Sequence, residues 1–353
     1  MKRRSAVKVI GLVVPAAVVL LTATPASACG GLVGENGTIQ LVRTATLAAY
    51  TSGVERYVTA FEFTGEGESV GSIVPLPDVP TTVERAGDWT LQRLALEVAP
   101  PAPTAGAAGD DAAAAAEVEI VLQTTIDALD ITVLKGGGDE VGKWAIENGF
   151  LLSPDAPEVL DFYARRSPVF MAAKFDANRA AELGQGVGDS TPIMATIPTD
   201  DPWVPLRILG LGLDDGRTVE ADVFLLTDEQ PELLAGGPGL TLARSEAASP
   251  SLLGDLRSDV GMQWVPQSMW LSYLQLEAGA GDLDYDLAVS ADPSREPSID
   301  DAGVGPASVV PIVVPDAGPP LWPLVAGIGT GIVAIVGLAS ARRHSTVGRA
   351  VAP

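Results

Sequence analysis

The residues whose spacing comes nearest to a catalytic motif form a glycine-rich run at 137–143, which fits the P-loop pattern G-x-x-x-x-G-K. A P-loop wraps phosphates in backbone N–H groups and needs a Ser or Thr after the lysine to hold Mg²⁺. Here Trp144 follows Lys143, and Asp139 and Glu140 would bring negative charge against the phosphates. Acidic residues suit the first turn of a helix, where N–H groups are free. The run therefore predicts a strand–turn–helix corner and no nucleotide partner.

A second chemical pattern is the acidic alternation Asp282, Asp284 and Asp286, which resembles the start of a calcium-binding loop. Leu287 takes the place of the required glycine, and Pro293 takes the place of the closing glutamate. The pattern predicts a solvated strand edge and no metal.

Nucleophilic and zinc chemistry based on histidine is excluded for most of the chain. The single histidine, His344, lies near the C-terminus, so the preceding residues cannot build a Ser-His-Asp or His-ligated zinc site. Paired carboxylates need no histidine, and the chain has 45 acidic residues. A carboxylate-dependent hydrolase therefore stays open as an alternative, although the sequence singles out no catalytic, cofactor-binding or metal-binding residue.

Three aromatic residues, Trp264, Trp270 and Tyr273, have the types that stack against sugar rings. The same residues also suit a hydrophobic core, and we favour the core interpretation because buried aromatic residues are the more common case.

The N-terminus has the pattern of a secretory signal peptide at 1–28. Basic residues precede a short apolar run, and the sequence Ala26-Ser27-Ala28 fits a signal-peptidase site. Cleavage there would make Cys29 the mature N-terminus, either plain or lipidated. Because Cys29 is the only cysteine, no intramolecular disulfide can form.

The C-terminal part carries an apolar segment at 321–341, long enough for a transmembrane helix. Arg342 and Arg343 follow it, which predicts a cytoplasmic tail at 342–353 under the positive-inside rule. Gly327 and Gly331 form a small-xxx-small pair, a weak indication of helix dimerisation. The net charge of −23 disfavours nucleic acid as a partner.

Between the two ends, alternating and helical apolar patterns predict an α+β fold of mainly antiparallel strands with a central helical pair, followed by the single C-terminal transmembrane helix. The helical pair begins near Asp139 and at Asp155, where Glu158 would complete a capping box. Another helix follows Asp88. The strand-like segments are 38–50, 54–64, 69–76, 118–125, 129–134, 169–175, 193–197, 206–212 and 219–227, with weaker candidates at 271–276 and 283–290.

These patterns divide the chain into an extracytoplasmic domain at 29–291 and a Pro-rich stalk at 292–320 that leads to the span. A low-complexity stretch at about 99–117 reads as a disordered insertion in that domain.

Several segments together resemble an uncharacterised bacterial family, domain of unknown function 2330. They are "ACGG" at 28–31, "SIVPLP" at 72–77, the long segment 129–175 and "PWVPLRILGLG" at 202–212. The resemblance implies an exported bacterial protein, but it implies no activity, cofactor or site residue. We therefore expect a membrane-anchored protein whose domain lies outside the cell and which has a non-catalytic binding or structural role in the envelope. Its partner would be an envelope protein or glycan. The alternative is a carboxylate-dependent hydrolase acting on envelope glycans.

Overall fold

The computed structural model describes residues 31–34, 44–60, 70–98, 119–150, 152–185, 191–235, 237–292 and 294–315. The predicted signal peptide, the insertion at about 99–117, the span at 321–341 and the tail at 342–353 lie outside these residues. The chain divides into two compact units, Met1–Val313 and Val314–Pro353. Of the second unit only Val314 and Pro315 are described, and both are exposed.

Strands make up most of the regular structure of the first unit. In chain order they are β1 (Gly31–Gly34), β2 (Thr44–Thr51), β3 (Val54–Ala60), β4 (Val70–Pro75), β5 (Thr82–Arg85), β6 (Glu119–Ile126), β7 (Leu129–Lys135), β8 (Val169–Phe175), β9 (Pro192–Pro198), β10 (Trp203–Val204), β11 (Thr218–Thr227), β12 (Glu232–Ala235), β13 (Leu240–Ala247), β14 (Trp270–Gly279) and β15 (Leu287–Ser290).

The helices in the described part of this unit are short. They are α1 (Thr90–Val98), α2 (Gly138–Glu147), α3 (Ala156–Ala164), α4 (Ala177–Leu183) and α5 (Pro250–Ser258). The Asp259 carboxylate, which follows α5, accepts hydrogen bonds from the backbone N–H groups of Asp88 and Trp89 and from the Thr90 hydroxyl. Asp259 therefore satisfies N–H groups at the start of α1 and ties that helix to α5.

A seven-stranded sheet in the order β13-β14-β11-β2-β3-β9-β5 forms the centre of the fold. Strands β2 and β11 run parallel, and every other neighbouring pair in this sheet is antiparallel. All six residues from Thr44 to Ala49 are buried in β2, because apolar clusters cover both faces of this sheet.

Two smaller sheets complete the β structure. An antiparallel sheet has the order β1-β4-β8-β7-β6, and a three-stranded sheet has the order β10-β15-β12. One face of the seven-stranded sheet shares an apolar core with both smaller sheets and with α2 and α3. The opposite face packs against α1, α5 and the loop that contains Met262 and Val265.

The α+β class predicted from the sequence is therefore wrong. Strand accounts for 40% of the structure and helix for 22%, so the fold is mostly β. The expected helical pair is present as α2 and α3, but the strands β5, β12 and β13, which lack a clear apolar alternation, extend the sheets at their edges. The transmembrane helix in the same prediction is not supported either. Within the residues described, no helix is long and apolar enough to cross a membrane, and the segment 321–341 falls outside them.

Two local predictions near α3 are also wrong. The Asp155 side chain makes no cap hydrogen bond, and its Oδ2 instead accepts the Gly212 N–H at 3.0 Å. Glu158 lies 2.6 Å from a guanidinium nitrogen of Arg207. The predicted strand at 206–212 is a single 3₁₀ turn at Arg207–Gly210. Its backbone turns there because the amide groups of Leu206 and Arg207 point at a buried carboxylate.

Residues 294–313, which fall within the predicted stalk, contact the sheets. The carbonyl of the fully buried Ala302 accepts the Asp286 N–H at 3.0 Å, and Arg295 forms an ion pair with Asp201. Val313 exchanges two backbone hydrogen bonds with β13. This part of the chain thus covers a portion of the β13 edge.

Candidate functional site

The P-loop-like run forms the predicted strand–turn–helix corner between β7 and α2, so that prediction is confirmed. The Gly137 N–H donates to Glu140 Oε2 at 2.7 Å, as expected for an acid in the first helical turn. Lys143 is 62% exposed and lies 3.4 Å from Glu147 on the same helix. Trp144, which stands where a P-loop has its metal-binding hydroxyl, is buried in the core. The contacts of this corner are structural.

Gly138 has a packing role at this corner. A Cβ atom there would lie 2.5 Å from the backbone nitrogen of Asp161 and 2.8 Å from the carbonyl carbon of Leu160. Only glycine lets the backbones of α2 and α3 approach this closely. Close helix packing therefore explains a glycine that resembled part of a phosphate cradle.

Asp286 contradicts the predicted solvated strand edge. Asp282 and Asp284 are exposed, but Asp286 is 0% exposed. Its Oδ1 accepts hydrogen bonds from the Tyr163 hydroxyl at 2.8 Å and from the backbone N–H groups of Leu206 and Arg207 at 2.6 and 3.0 Å. Its Oδ2 pairs with Arg166. The alternation fails here because the neighbouring loop folds over Asp286 and supplies donors.

The Arg166 guanidinium is enclosed by aromatic rings. Its central carbon lies 4.8 Å from the Phe162 centroid, 5.2 Å from Tyr163 and 4.4 Å from Trp203. Burial and the Asp286 charge hold the pKa of Tyr163 well above its usual range, so this hydroxyl stays protonated and donates to Asp286. The cluster joins α3, β10 and the start of β15, and both of its charges are compensated within the fold. We interpret it as a structural lock.

The three aromatic residues considered for sugar stacking do not form a platform. Tyr273 is buried, stacks on Phe224 with ring centroids 5.0 Å apart and donates its hydroxyl to Asp222 at 2.6 Å. Trp270 is three residues earlier on β14, so it points to the opposite face of the sheet, where its Nε1 donates to Ser245. The core interpretation holds for Tyr273. Trp264 lies in the loop after α5 and packs, partly buried, against the apolar cluster that contains Tyr273.

Glu55 on β3 is a buried carboxyl group with neither oxygen hydrogen-bonded, within the part of the chain described. It stands opposite Tyr50 on β2 and Ile197 on β9. Burial raises the pKa of Glu55 to about 8, so the side chain is neutral at physiological pH. The hydroxyl of Tyr50, the cross-strand neighbour of Glu55, donates to the Thr199 carbonyl at 3.0 Å.

Arg56 follows directly and faces the opposite side of the sheet. Its guanidinium lies 4.6 Å from the centroid of the Trp264 ring, and the side chain is partly buried. Burial lowers the pKa of Arg56, and across the described ranges no carboxylate pairs with it. The Trp264 Nε1 is buried and has no hydrogen-bond partner there either. A cation on an aromatic ring, with no acid beside it, has the chemistry to bind an anion.

We therefore take Arg56 and Trp264 as the candidate functional site. Sequence reasoning singled out Trp264 but missed Arg56, because no motif marks it. The one available signal is the alternation along β3, which puts the Arg56 side chain on the other face of the sheet from Tyr57 and Thr59. Cys29, Gly327 and Gly331, the other residues singled out from the sequence, lie outside the described residues.

Comparison with solved structures finds distant likenesses to the baculovirus protein P35. The crystal structure of baculovirus P35 gives a TM-score of 0.35 at 8% identity, covering 72% of this chain and 95% of P35. A mutated P35 after caspase cleavage gives 0.34 at 9% identity, with coverages of 72% and 95%. The caspase-8/P35 complex gives 0.33 at 8%, with 70% and 92%. TM-scores this low carry no argument about fold or function.

A comparison with curated proteins finds no match. A family model does match, over residues 23–226, and its description is "Uncharacterized protein conserved in bacteria (DUF2330)". The matched range contains the P-loop-like corner, Tyr163 and Arg166 of the lock, and both Glu55 and Arg56. Since it spans more than half of the sequence, the chain belongs to this bacterial family, DUF2330.

Proposed function

We propose that this protein is a non-catalytic binding protein of the bacterial cell envelope. The single observation that carries the proposal is Arg56, a partly buried cation stacked on Trp264 with no acidic partner in the described part of the chain. Burying a charge without a counter-charge lowers stability, so folds usually pair such groups. Arg56, which is partly buried and has no hydrogen-bonding partner among the described residues, is therefore better explained by a bound anion than by the fold itself.

The proposed location is the cell membrane, with the folded domain outside the cytoplasm. Its support comes from the sequence, in the signal-peptide pattern at 1–28 and the arginines that follow the apolar segment near the C-terminus. Protease treatment of intact cells tests it, because an outward-facing domain should be degraded while a cytoplasmic marker protein survives.

The binding role is tested by sedimenting the purified full-length protein with insoluble envelope material. We expect the wild-type protein to co-sediment and Arg56→Gln to remain in solution. The matched control is Arg217→Gln, since Arg217 is an exposed arginine that directly precedes β11. Equal sedimentation of wild type and Arg56→Gln would contradict the proposed site.

One observation favours the alternative, a carboxylate-dependent hydrolase acting on envelope glycans. A pKa of about 8 gives Glu55 the protonation state that a general acid needs at neutral pH. Glu55 is 0% exposed, however, so the turn at Thr51–Val54 would have to move before a substrate could reach it. Release of reducing sugar ends during the sedimentation experiment, abolished by Glu55→Gln, would establish the hydrolase and overturn the non-catalytic role.

A further inference from the structure

Arg56 differs in its contacts from the other arginines that the structure describes. The chain has 45 acidic against 22 basic residues. Eight described arginines form ion pairs with carboxylates, namely Arg85, Arg93, Arg165, Arg166, Arg179, Arg207, Arg244 and Arg295. Of the other described arginines without an ion pair, Arg217 is exposed, and the partly buried Arg257 donates to the backbone carbonyls of Val265 and Pro266. Arg56 is partly buried and has neither kind of partner among the described residues, which indicates that the fold keeps its N–H donors for a group from outside.

The position of Arg56 on the sheet supplies further polar groups. Residues directly opposite one another in an antiparallel pair share a face, and Arg56 stands opposite Thr196 on β9, which stands opposite Thr82 on the edge strand β5. Thr196 is partly buried and Thr82 is exposed. Two hydroxyl-bearing residues therefore lead from the guanidinium to the open edge of the sheet.

The charges around this row limit the kind of anion that fits. Arg56 is the one cation in the row, and Glu84 on β5 accepts a hydrogen bond from the Thr82 hydroxyl at 3.2 Å. A phosphate monoester would place two negative charges on one group, against a single guanidinium and close to Glu84, whereas a sugar acid places only one charge on each ring. A monoanionic carboxylate matches the planar fork of a single guanidinium, and hydroxyl groups on its carrier match the threonines.

We propose that Arg56, held by the Trp264 ring and assisted by Thr196, binds the carboxylate of an acidic sugar. The guanidinium N–H groups donate to the carboxylate oxygens, and the Thr196 hydroxyl bonds to a sugar hydroxyl. Trp264 keeps the guanidinium plane fixed by stacking on it. The inference rests on the proposed binding function and names the ligand class of the same site.

Calorimetric titration of the full-length protein with trigalacturonate tests the inference, in a neutral detergent that contains no sugar. Its methyl ester is the matched ligand control, because it keeps the rings and hydroxyls and removes the charges. We expect trigalacturonate to bind the wild-type protein and the ester to bind at least about tenfold more weakly, as loss of a charged hydrogen bond implies. Arg56→Gln should lose at least about tenfold in affinity for trigalacturonate, and Arg56→Lys should lose less because it keeps the charge. Arg217→Gln should bind as the wild type does.

A stability measurement on the same variants separates binding from a structural role. If Arg56 serves a ligand, Arg56→Gln removes an uncompensated charge, and the melting temperature of the free protein should stay equal or rise. A lower melting temperature would show that Arg56 serves the fold and would overturn the inference. Three binding results would also overturn it: no binding of trigalacturonate, equal binding of the ester, or stronger binding of inorganic phosphate.

Chemical modification of the envelope material separates binding of an acidic sugar from binding of the envelope in general. Amidation of the carboxyl groups in envelope material removes the proposed ligand without dissolving the material. Arg56-dependent sedimentation that survives amidation would keep the binding function and reject the acidic sugar.

Discussion

Replacing Glu55 with glutamine is expected to stabilise the protein at neutral pH. The folded pKa is about 8, against 4.5 for the free side chain, so folding at neutral pH requires that Glu55 take up a proton. Each pH unit above 4.5 weakens folding by about 1.4 kcal/mol until the pH reaches the folded pKa, which gives about 3 kcal/mol at about pH 7. The stability associated with the protonated group is therefore complete below pH 4.5 and is lost as the pH rises through 8. Glutamine resembles the neutral acid and needs no proton.

Urea denaturation followed by tryptophan fluorescence, repeated across this pH range, measures the difference. Glu55→Gln and the wild type should have nearly equal free energies of unfolding at about pH 4.5, and the variant should gain about 3 kcal/mol at about pH 7. Glu232→Gln, which alters an exposed carboxylate on β12, is the control and should track the wild type. A constant difference between Glu55→Gln and wild type at every pH would refute the buried-acid reasoning.

Three further predictions concern the framework. Asp286→Asn leaves Arg166 buried without a counter-charge and should lower the free energy of unfolding in urea by about 3–5 kcal/mol, whereas Tyr163→Phe should lower it by about 1–3 kcal/mol. A loss under about 1 kcal/mol for Asp286→Asn would contradict the structural lock. Gly138→Ala should cost about 1–3 kcal/mol through its clash with α3, whereas Gly142→Ala, whose Cβ would lie 3.4 Å from Leu152, should be neutral or stabilising; equal melting temperatures would remove the packing explanation. Asp259→Ala should lower the free energy of unfolding by about 1–3 kcal/mol, because it leaves N–H groups at the start of α1 without an acceptor. Asp255→Ala, which removes a half-exposed ion-pair partner of Arg93, should cost under about 1 kcal/mol, and the reverse order would argue against the tie between α1 and α5.

Local patterns predicted the central strands well and the periphery poorly. The run Val169–Phe175, which is apolar except for Lys174, is buried throughout β8, and its length and flanks mark it as a strand. Helix α5 is absent from the sequence-based prediction, although its start carries a recognisable signal. Ser249 accepts the Leu252 N–H as a cap, and Pro250 follows at the first helical position. The short strand β12 has no periodicity of its own and forms because β15 supplies its partner.

The candidate site could not be predicted from the sequence, because its residues meet only through long-range register. Arg56 and Trp264 are far apart in the chain, and the loop after α5 brings them together. The burial of Asp286 has the same kind of cause, since its donors come from Tyr163, Arg166 and the turn at 206–207. An alternating acidic sequence predicts exposure, but Asp286 is buried because donors distant in the sequence satisfy its carboxylate.

The affinity of the full-length protein for envelope fragments, compared between wild type and Arg56→Gln, decides whether Arg56 forms the binding site. We expect Arg56→Gln to bind at least about tenfold more weakly while its melting temperature is unchanged or higher. Equal affinity for the two proteins would contradict it.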